Sequence, residues 1–224
     1  MKKTKKEKRV KKKNGIIFIV ICLILVLSYF ILNKKIDCIY VLNNNYLKES
    51  DILSLAGLDN YPKVYQVSTS KIRKRLLASP FIKDAKVSCN LFSITINISE
   101  YQILWYQEFD NSVMLSSKEN VLVSKNMLGL PVLTNQLSEQ ILSPLVDKYV
   151  LIKNDVINKI SEITYDPNNL DNERFLLYMN DGNYVYINIS RFEYLNTYNE
   201  LLPKLEGKKG ILYLDSGNHF EIKK

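Results

Sequence analysis

Residues Ala85–Ser99, AKVSCNLFSITINIS, alternate apolar and polar side chains on both sides of a short connection near residue 91. The apolar positions are Ala85, Val87, Cys89 and Leu91 before the connection, and Ile94, Ile96 and Ile98 after it. A period of two is typical of a strand that buries one face. Two such runs with so short a connection favour a β-hairpin. We therefore expect a hairpin whose isoleucine-rich face packs on a core.

Upstream of the hairpin, the sequence predicts one strand and two helices. The strand is predicted at Ile36–Leu42, which alternates and is rich in β-forming residues. Glu49–Ala56 has acidic residues in its first turn and Gly57 after its last, as expected of a short helix. Ser68 can cap a second helix, which ends before Pro80. The order strand–helix–helix–strand–strand predicts a two-layer α/β unit, with both helices on one face of a three-stranded sheet.

A long apolar segment precedes this unit. Ile16–Leu32, IIFIVICLILVLSYFIL, contains seventeen residues without a charge or a proline. A helix of that length reaches roughly 25 Å, close to the ~30 Å hydrocarbon core of a bilayer, where a helix satisfies its own backbone. We therefore predict a single transmembrane helix at residues 14–33. A cleaved signal peptide is disfavoured because no small-residue cleavage site follows the apolar segment.

The charge distribution orients the predicted helix. The formal charge is +8, and residues 1–13 account for all of it with nine Lys or Arg and one Glu. Positive residues stay on the cytoplasmic side, so residues 1–13 are predicted to be a basic cytoplasmic tail near anionic lipid head groups, with the carboxyl-terminal part extracellular. The chain beyond the tail holds 22 basic and 22 acidic residues. A folded region without net charge argues against a nucleic-acid partner.

The second half of the chain is predicted to be rich in β-strands. Strands are expected at residues 103–106, 113–115, 121–123, 160–165, 174–179, 184–189, 211–214 and 219–222, with an extended piece at 130–133. One helix is predicted from about residue 137 to 152, with Pro144 as a kink or as its true start. Another is predicted from about Phe192. Most of the tyrosines, such as Tyr178, Tyr184 and Tyr186, are expected to pack across strands, while others could line an interface. The fold class is therefore α+β.

No residue pattern indicates a catalytic, cofactor-binding or metal-binding site. The only histidine, His219, shares one tight turn with Asp215 and Ser216, where the three side chains are expected to point apart rather than converge as a triad. One histidine and three scattered cysteines do not supply a zinc site, and seven glycines form no phosphate-binding loop. A bridge between Cys38 and Cys89 stays open, as does a glycosidase-like pair among the dispersed carboxylates.

Several of these segments resemble the FtsQ/DivIB family of bacterial cell-division proteins. SPFIKDAKV at residues 79–87 and ITINISE at residues 94–100 are similar to the family's FtsQ-type POTRA domain. DGNYVYI at residues 181–187 and GILYLDSGNHF at residues 210–220 are similar to its β domain. The chain departs from the family at residues 43–45, where Gly-Asn is common in the family, and at residues 91–92 and 101–103, where proline is common. The resemblance implies a POTRA-like β-α-α-β-β domain at residues 36–102 and the family's larger, mixed β-rich domain at residues 103–224.

The resemblance also implies a function. Family members are non-enzymatic scaffolds at the division septum, which bind FtsL-like and FtsB/DivIC-like single-pass membrane proteins and help regulate septal peptidoglycan synthesis. The septal peptidoglycan synthase is a further candidate partner. Strand addition to a free sheet edge is the expected mechanism, near the last strands of the β domain. The residues expected to contact the partner are Tyr213, Leu214, Ser216, Gly217, Phe220 and Ile222.

Two other classes of function stay open. The chain could be a membrane-anchored extracytoplasmic cell-wall enzyme, which would require a deep polar cleft. It could also be a POTRA-bearing assembly or transport factor outside division, which would localise around the whole envelope.

Overall fold

The computed structural model describes residues 5–123 and 129–223, with side chains from residue 17 onward. Its first helix, α1, spans Lys5–Asn33, so it begins within the predicted basic tail and ends where the predicted transmembrane segment ends. Residues 1–4 and the side chains of residues 5–16, which include the cations of the tail and Ile16, lie outside the described part. Among the residues that the structure describes, no helix combines the length and the apolar character that a membrane span requires.

The first compact unit, residues 1–100, contains the predicted α/β layers. After α1 its elements are β1 (Cys38–Leu42), α2 (Glu49–Ala56), a 3-10 turn (Val64–Gln66), α3 (Thr69–Leu76), β2 (Ile82–Asn90) and β3 (Ser93–Glu100). The three strands form a sheet in the order β1–β3–β2. Strand β1 is parallel to β3, and β2 is antiparallel to it. The predicted hairpin and the predicted order of elements are confirmed.

Local signals set the ends of the two short helices. The Ser68 hydroxyl accepts a hydrogen bond from the Lys71 amide at 3.5 Å and so caps α3. Gly57 follows α2 with a φ of 70°, a left-handed conformation that glycine adopts without strain. The buried core between helices and sheet includes Ile52, Ala56, Ile72, Leu76, Ile94, Ile96 and Ile98, each at most 3% exposed.

The outer end of the hairpin extends beyond this core. Leu91 is 67% exposed and Cys89 is also exposed, although both lie on the predicted apolar face. The predicted option of a Cys38–Cys89 bridge is not realised, since both cysteines are free. Cys38 lies opposite Ser93 and Cys89 opposite Ile94, which places the two side chains on opposite faces of the sheet, on strands that flank β3. A disulfide cannot span that separation.

The second compact unit, residues 101–224, is organised around a nine-stranded sheet. Its elements are β4 (Ile103–Gln107), β5 (Ser112–Leu115), β6 (Asn120–Leu122), β7 (Val132–Leu133), α4 (Glu139–Tyr149), α5 (Asn154–Ile157), β8 (Ile160–Tyr165), β9 (Arg174–Met179), β10 (Tyr184–Asn188), α6 (Tyr198–Leu201), β11 (Gly210–Tyr213) and β12 (His219–Ile222). The strand order is β12–β11–β10–β9–β8–β7–β4–β5–β6. All the predicted strands of this half are present, within one or two residues of their predicted ends.

The two predicted helices of this unit differ in detail from the expectation. Pro144 lies inside α4, which begins at Glu139, so proline does not mark the start of the helix. The segment after β10 is mostly 3-10 helix, at Ile189–Thr197 and Leu202–Leu205, with α6 between the two. The reason is the spacing of its buried residues. Ile189, Phe192, Leu195 and Tyr198 recur every third position, which is the period of a 3-10 helix.

Candidate functional site

Strand β12 forms one end of the nine-stranded sheet and, among the described residues, is hydrogen-bonded only to β11. The pair is antiparallel, with Ile211 opposite Glu221 and Leu212 opposite Phe220. The Lys223 amide donates to the Lys209 carbonyl at 2.9 Å, so this residue and every second residue before it direct their main-chain groups toward β11. In an antiparallel pair, alternate residues direct their amide and carbonyl groups away from the partner strand. The main-chain groups of Phe220 and Ile222 therefore point outward from the sheet.

The Phe220 side chain points to the core side of the hairpin. It is partly buried, packs against the core cluster and lies opposite Leu212, which is 5% exposed. Its ring also lies over Gly210. A Cβ atom at Gly210 would come within 2.8 Å of the ring and closer still to the Glu221 carbonyl oxygen. Glycine at this position therefore allows β12 to approach β11 closely.

The opposite face of the same strands carries a continuous stack of planar side chains, which we call the stacked ladder. Arg174 on β9 lies over the Tyr186 ring on β10, with 3.6 Å between Cζ and the ring centroid. Tyr186 stacks on Tyr213 of β11 at 5.4 Å, and Tyr213 stacks on His219 of β12 at 4.4 Å. Cross-strand aromatic and cation–π contacts of this kind stabilise strand pairs. The stacked ladder thus links four adjacent strands up to the edge.

Arg174 also holds the turn that leads into β12. Its Nε donates to Asp215 Oδ2 at 2.8 Å, and its NH1 donates to Asp166 Oδ2 at 3.0 Å. Asp215 is 8% exposed at its side chain and accepts further bonds from the amide and hydroxyl of Ser216. Burial raises the pKa of the Asp215 carboxyl, but the hydrogen bonds from Arg174 and Ser216 outweigh burial and leave that pKa below its ordinary value.

Next to the stacked ladder, the sheet face forms a groove of about 650 Å³ that reaches β12. Tyr178 and Tyr184 form an edge-to-face pair across its floor, with 5.2 Å between ring centroids, which confirms the predicted cross-strand packing. Lys223 lies over the Tyr184 ring at 4.9 Å. Leu176, Ile211 and Ile222 also line the groove. The groove and the free edge are therefore adjacent parts of one surface.

Most of the residues expected to bind a partner cluster on this surface. Tyr213 is in the stacked ladder, Ser216 is exposed in the turn with Gly217 beside it, and Ile222 is 53% exposed on the edge. Leu214 and Phe220 differ, because the Leu214 side chain is 1% exposed in the core and the Phe220 side chain packs against that core. These two side chains support the hairpin from inside, and Phe220 offers only its main-chain groups at the edge.

Sequence reasoning missed Arg174 and the stacking role of His219, whereas the cross-strand packing of Tyr186 is as predicted. The alternation in β9 places Arg174 on the outer face. Nothing in the sequence could link it to Asp215, 41 residues away. His219 is the first residue of β12, as the predicted strand at residues 219–222 requires, and its ring stacks on Tyr213. Both Asp215 oxygens are engaged by Arg174 and Ser216.

Within the described residues, no three His, Cys, Asp or Glu side chains are grouped closely enough to hold a metal ion.

Comparison with known proteins adds a family match, two relatives and one solved structure. Residues 34–101 match the POTRA domain of the FtsQ type. The chain is 30% identical to the cell division protein DivIB of Listeria monocytogenes over 230 residues, which covers 99% of this chain and 85% of that protein. It is also 30% identical to DivIB of Bacillus subtilis, covering 96% of this chain and 87% of that protein. A solved structure of the major extracytoplasmic domain of Geobacillus stearothermophilus DivIB is 22% identical, with a TM-score of 0.39, over 48% of this chain and 96% of that one.

Proposed function

The chain belongs to the FtsQ/DivIB family of cell division proteins, and we propose that it is a non-enzymatic scaffold that captures a partner segment on the free edge of β12. The observation that carries this proposal is the outward direction of the Phe220 and Ile222 main-chain groups at the end of the sheet. An edge strand with unpaired amide and carbonyl groups is a template for another strand. A partner segment in extended conformation can complete that ladder, and pockets for its alternate side chains add specificity.

The proposed partners are FtsL-like and FtsB/DivIC-like single-pass division proteins, and through them the septal peptidoglycan synthase. The edge of four residues, His219–Ile222, can pair with a short extended segment of such a partner. The aromatic groove beside the edge supports the same role, because tyrosine is enriched in protein interfaces. Capture at this edge would place the partner at the septum and couple this chain to cell-wall synthesis there.

We also propose that residues 14–33 anchor the chain in the cytoplasmic membrane, with the amino terminus inside. Every large apolar side chain from Ile17 to Leu32 is at least 41% exposed in α1. A helix that is apolar on all sides requires an apolar environment, which a bilayer supplies. In intact spheroplasts, added protease should degrade the chain beyond Lys35 while an amino-terminal tag survives. Protection of the carboxyl-terminal part would contradict this topology.

The test of the edge proposal distinguishes the contribution of the main-chain amide to binding from that of the side chain at one position. Ile222→Pro removes an outward amide but no bond of the β11–β12 ladder, whereas Ile222→Ala keeps the amide and removes the side chain. We expect Ile222→Pro to weaken binding of the FtsB/DivIC-type ectodomain from the same organism by at least about tenfold, or about 1.4 kcal/mol. Ile222→Ala should weaken it less. Calorimetry measures binding, and circular dichroism checks that both variants are folded. Parent-like binding by a folded Ile222→Pro variant would exclude this edge as the site.

A further inference from the structure

The connection between α1 and the first folded unit is very short. The helix ends at Asn33, and Ile36 is already buried in the core at 3% exposure. Only Lys34 and Lys35 lie between them. Three residue steps reach at most about 10 Å, even when fully extended. The folded unit therefore cannot move far from the end of the helix.

A second segment of the unit is bonded to this connection. The Ile36 amide donates to the Pro62 carbonyl at 3.0 Å, and the Val64 amide donates to the Lys34 carbonyl at 2.9 Å. The Lys63 ammonium donates to the Asn33 side-chain oxygen at 3.2 Å. These three bonds hold residues 61–65 beside the last turn of α1.

The side chains presented by this segment are aromatic and basic. Tyr61 is 40% exposed and Tyr65 is 56% exposed. The Lys63 ammonium lies 5.9 Å from the centroid of the Tyr65 ring, and Lys35 is exposed beside them. Lys34, by contrast, is paired with Asp37 at 2.7 Å. Tyrosine and lysine are the residue types found where a membrane protein meets lipid head groups.

We propose that Lys35, Tyr61, Lys63 and Tyr65 form a membrane-contact surface that binds anionic phospholipid head groups. This inference rests on the membrane anchor proposed above. The head-group layer on each side of a bilayer is roughly 5–8 Å thick, so a connection that reaches about 10 Å keeps the folded unit against that layer. The surface adjoins the last turn of α1 through the bonds at Asn33 and Lys34, and Tyr29 and Phe30 near that end of the helix are 65% and 68% exposed. Neither Lys35 nor Lys63 forms a salt bridge with a described residue, so their charges complement that of an anionic lipid.

The full-length chain in liposomes provides the test. Vesicles of phosphatidylglycerol and phosphatidylcholine would carry a nitroxide label on a fraction of their head groups, which quenches nearby tryptophan. Tyr65→Trp places a reporter on the proposed surface. Tyr46→Trp is the matched control, since Tyr46 is 42% exposed and follows the far end of β1. The native Trp105 is buried, and its signal in the parent chain is subtracted.

We expect the Tyr65→Trp emission to fall by about half and the Tyr46→Trp emission to change little. Quenching at position 65 should weaken in vesicles of phosphatidylcholine alone. It should also weaken when Lys35→Gln and Lys63→Gln are combined with Tyr65→Trp. Equal quenching at positions 46 and 65, or no dependence on lipid charge, would overturn the proposed surface. Flotation of the vesicles separates the two proposals. A chain that floats but is not quenched at position 65 retains the anchor without the contact surface, whereas a chain that does not float lacks both.

Discussion

Arg174 donates from Nε to Asp215 Oδ2 at 2.8 Å, although 41 residues separate them along the chain. The side chains are 15% and 8% exposed, so this ion pair is largely shielded from water. Arg174 lies at the start of β9, and Asp215 opens the turn between β11 and β12. The position of the edge strand therefore depends on a residue three strands away in the sheet.

Replacing Asp215 with Asn should destabilise the second unit by about 1–3 kcal/mol, because Arg174 would keep its charge but lose its shielded partner. Asp166→Asn is the matched control, since Asp166 pairs with the same guanidinium but is 43% exposed. We expect it to cost less than about 1 kcal/mol. Urea unfolding, followed by the fluorescence of Trp105, measures the free energy of unfolding of this unit for both variants. Trp105 is the only tryptophan in the chain and lies in this unit. Equal costs for the two variants would show that shielding is irrelevant.

The same carboxyl should make stability depend on acid pH. The pKa of Asp215 is lower in the folded chain than its ordinary value, so its contribution is present above the ordinary pKa of about 3.9 and is lost as the pH falls through the folded value. The difference in unfolding free energy between the parent and Asp215→Asn should be largest above about pH 5 and shrink below it. Unfolding midpoints measured across this range provide the check. A difference that grows on acidification would contradict the assignment.

Gly210→Ala should disrupt the β11–β12 hairpin, because the added methyl group would collide with the Glu221 carbonyl and the Phe220 ring. We expect a loss of about 1–3 kcal/mol, the usual cost of overpacking. Gly217→Ala is the control, because its Cβ would have only the His219 ring nitrogen at 3.8 Å within contact distance. It should lie within about 0.5 kcal/mol of the parent. Trp105 fluorescence in urea again gives the comparison, and similar losses for both glycines would count against the close approach.

In the first unit, Leu76→Ala should cost about 2–5 kcal/mol, because Leu76 is fully buried between α3 and the sheet. Leu91→Ala is the matched control, because it makes the same truncation at a side chain that is 67% exposed. It should cost less than about 0.5 kcal/mol. Hydrogen exchange of the β3 amides reports on this unit specifically. A change below about 1 kcal/mol for Leu76→Ala would mean that its side chain is not part of the core.

Much of the local structure could be predicted from the sequence alone. The bounds of α2 are as predicted, and Ser68, Gly57 and the alternation around Ile94–Ile98 each have their expected roles. Caps and periodicities act between residues a few positions apart, so the sequence contains all the information that they require. The family resemblance is carried by the same short segments. The period of three after β10 is also present in the sequence, where the prediction is an ordinary helix and the structure has mostly 3-10 helix.

Only the tertiary structure decided which groups of the last hairpin face outward. Tyr213 and Leu214 are neighbours, yet one joins the stacked ladder on the surface and the other is buried in the core. The free main-chain groups at Phe220 and Ile222 follow from the pairing of β12 with β11, and the turn between them is held by Arg174. A shift of one residue in that pairing would exchange inward and outward groups. The register is set by contacts between distant segments, and no local pattern within β12 determines it.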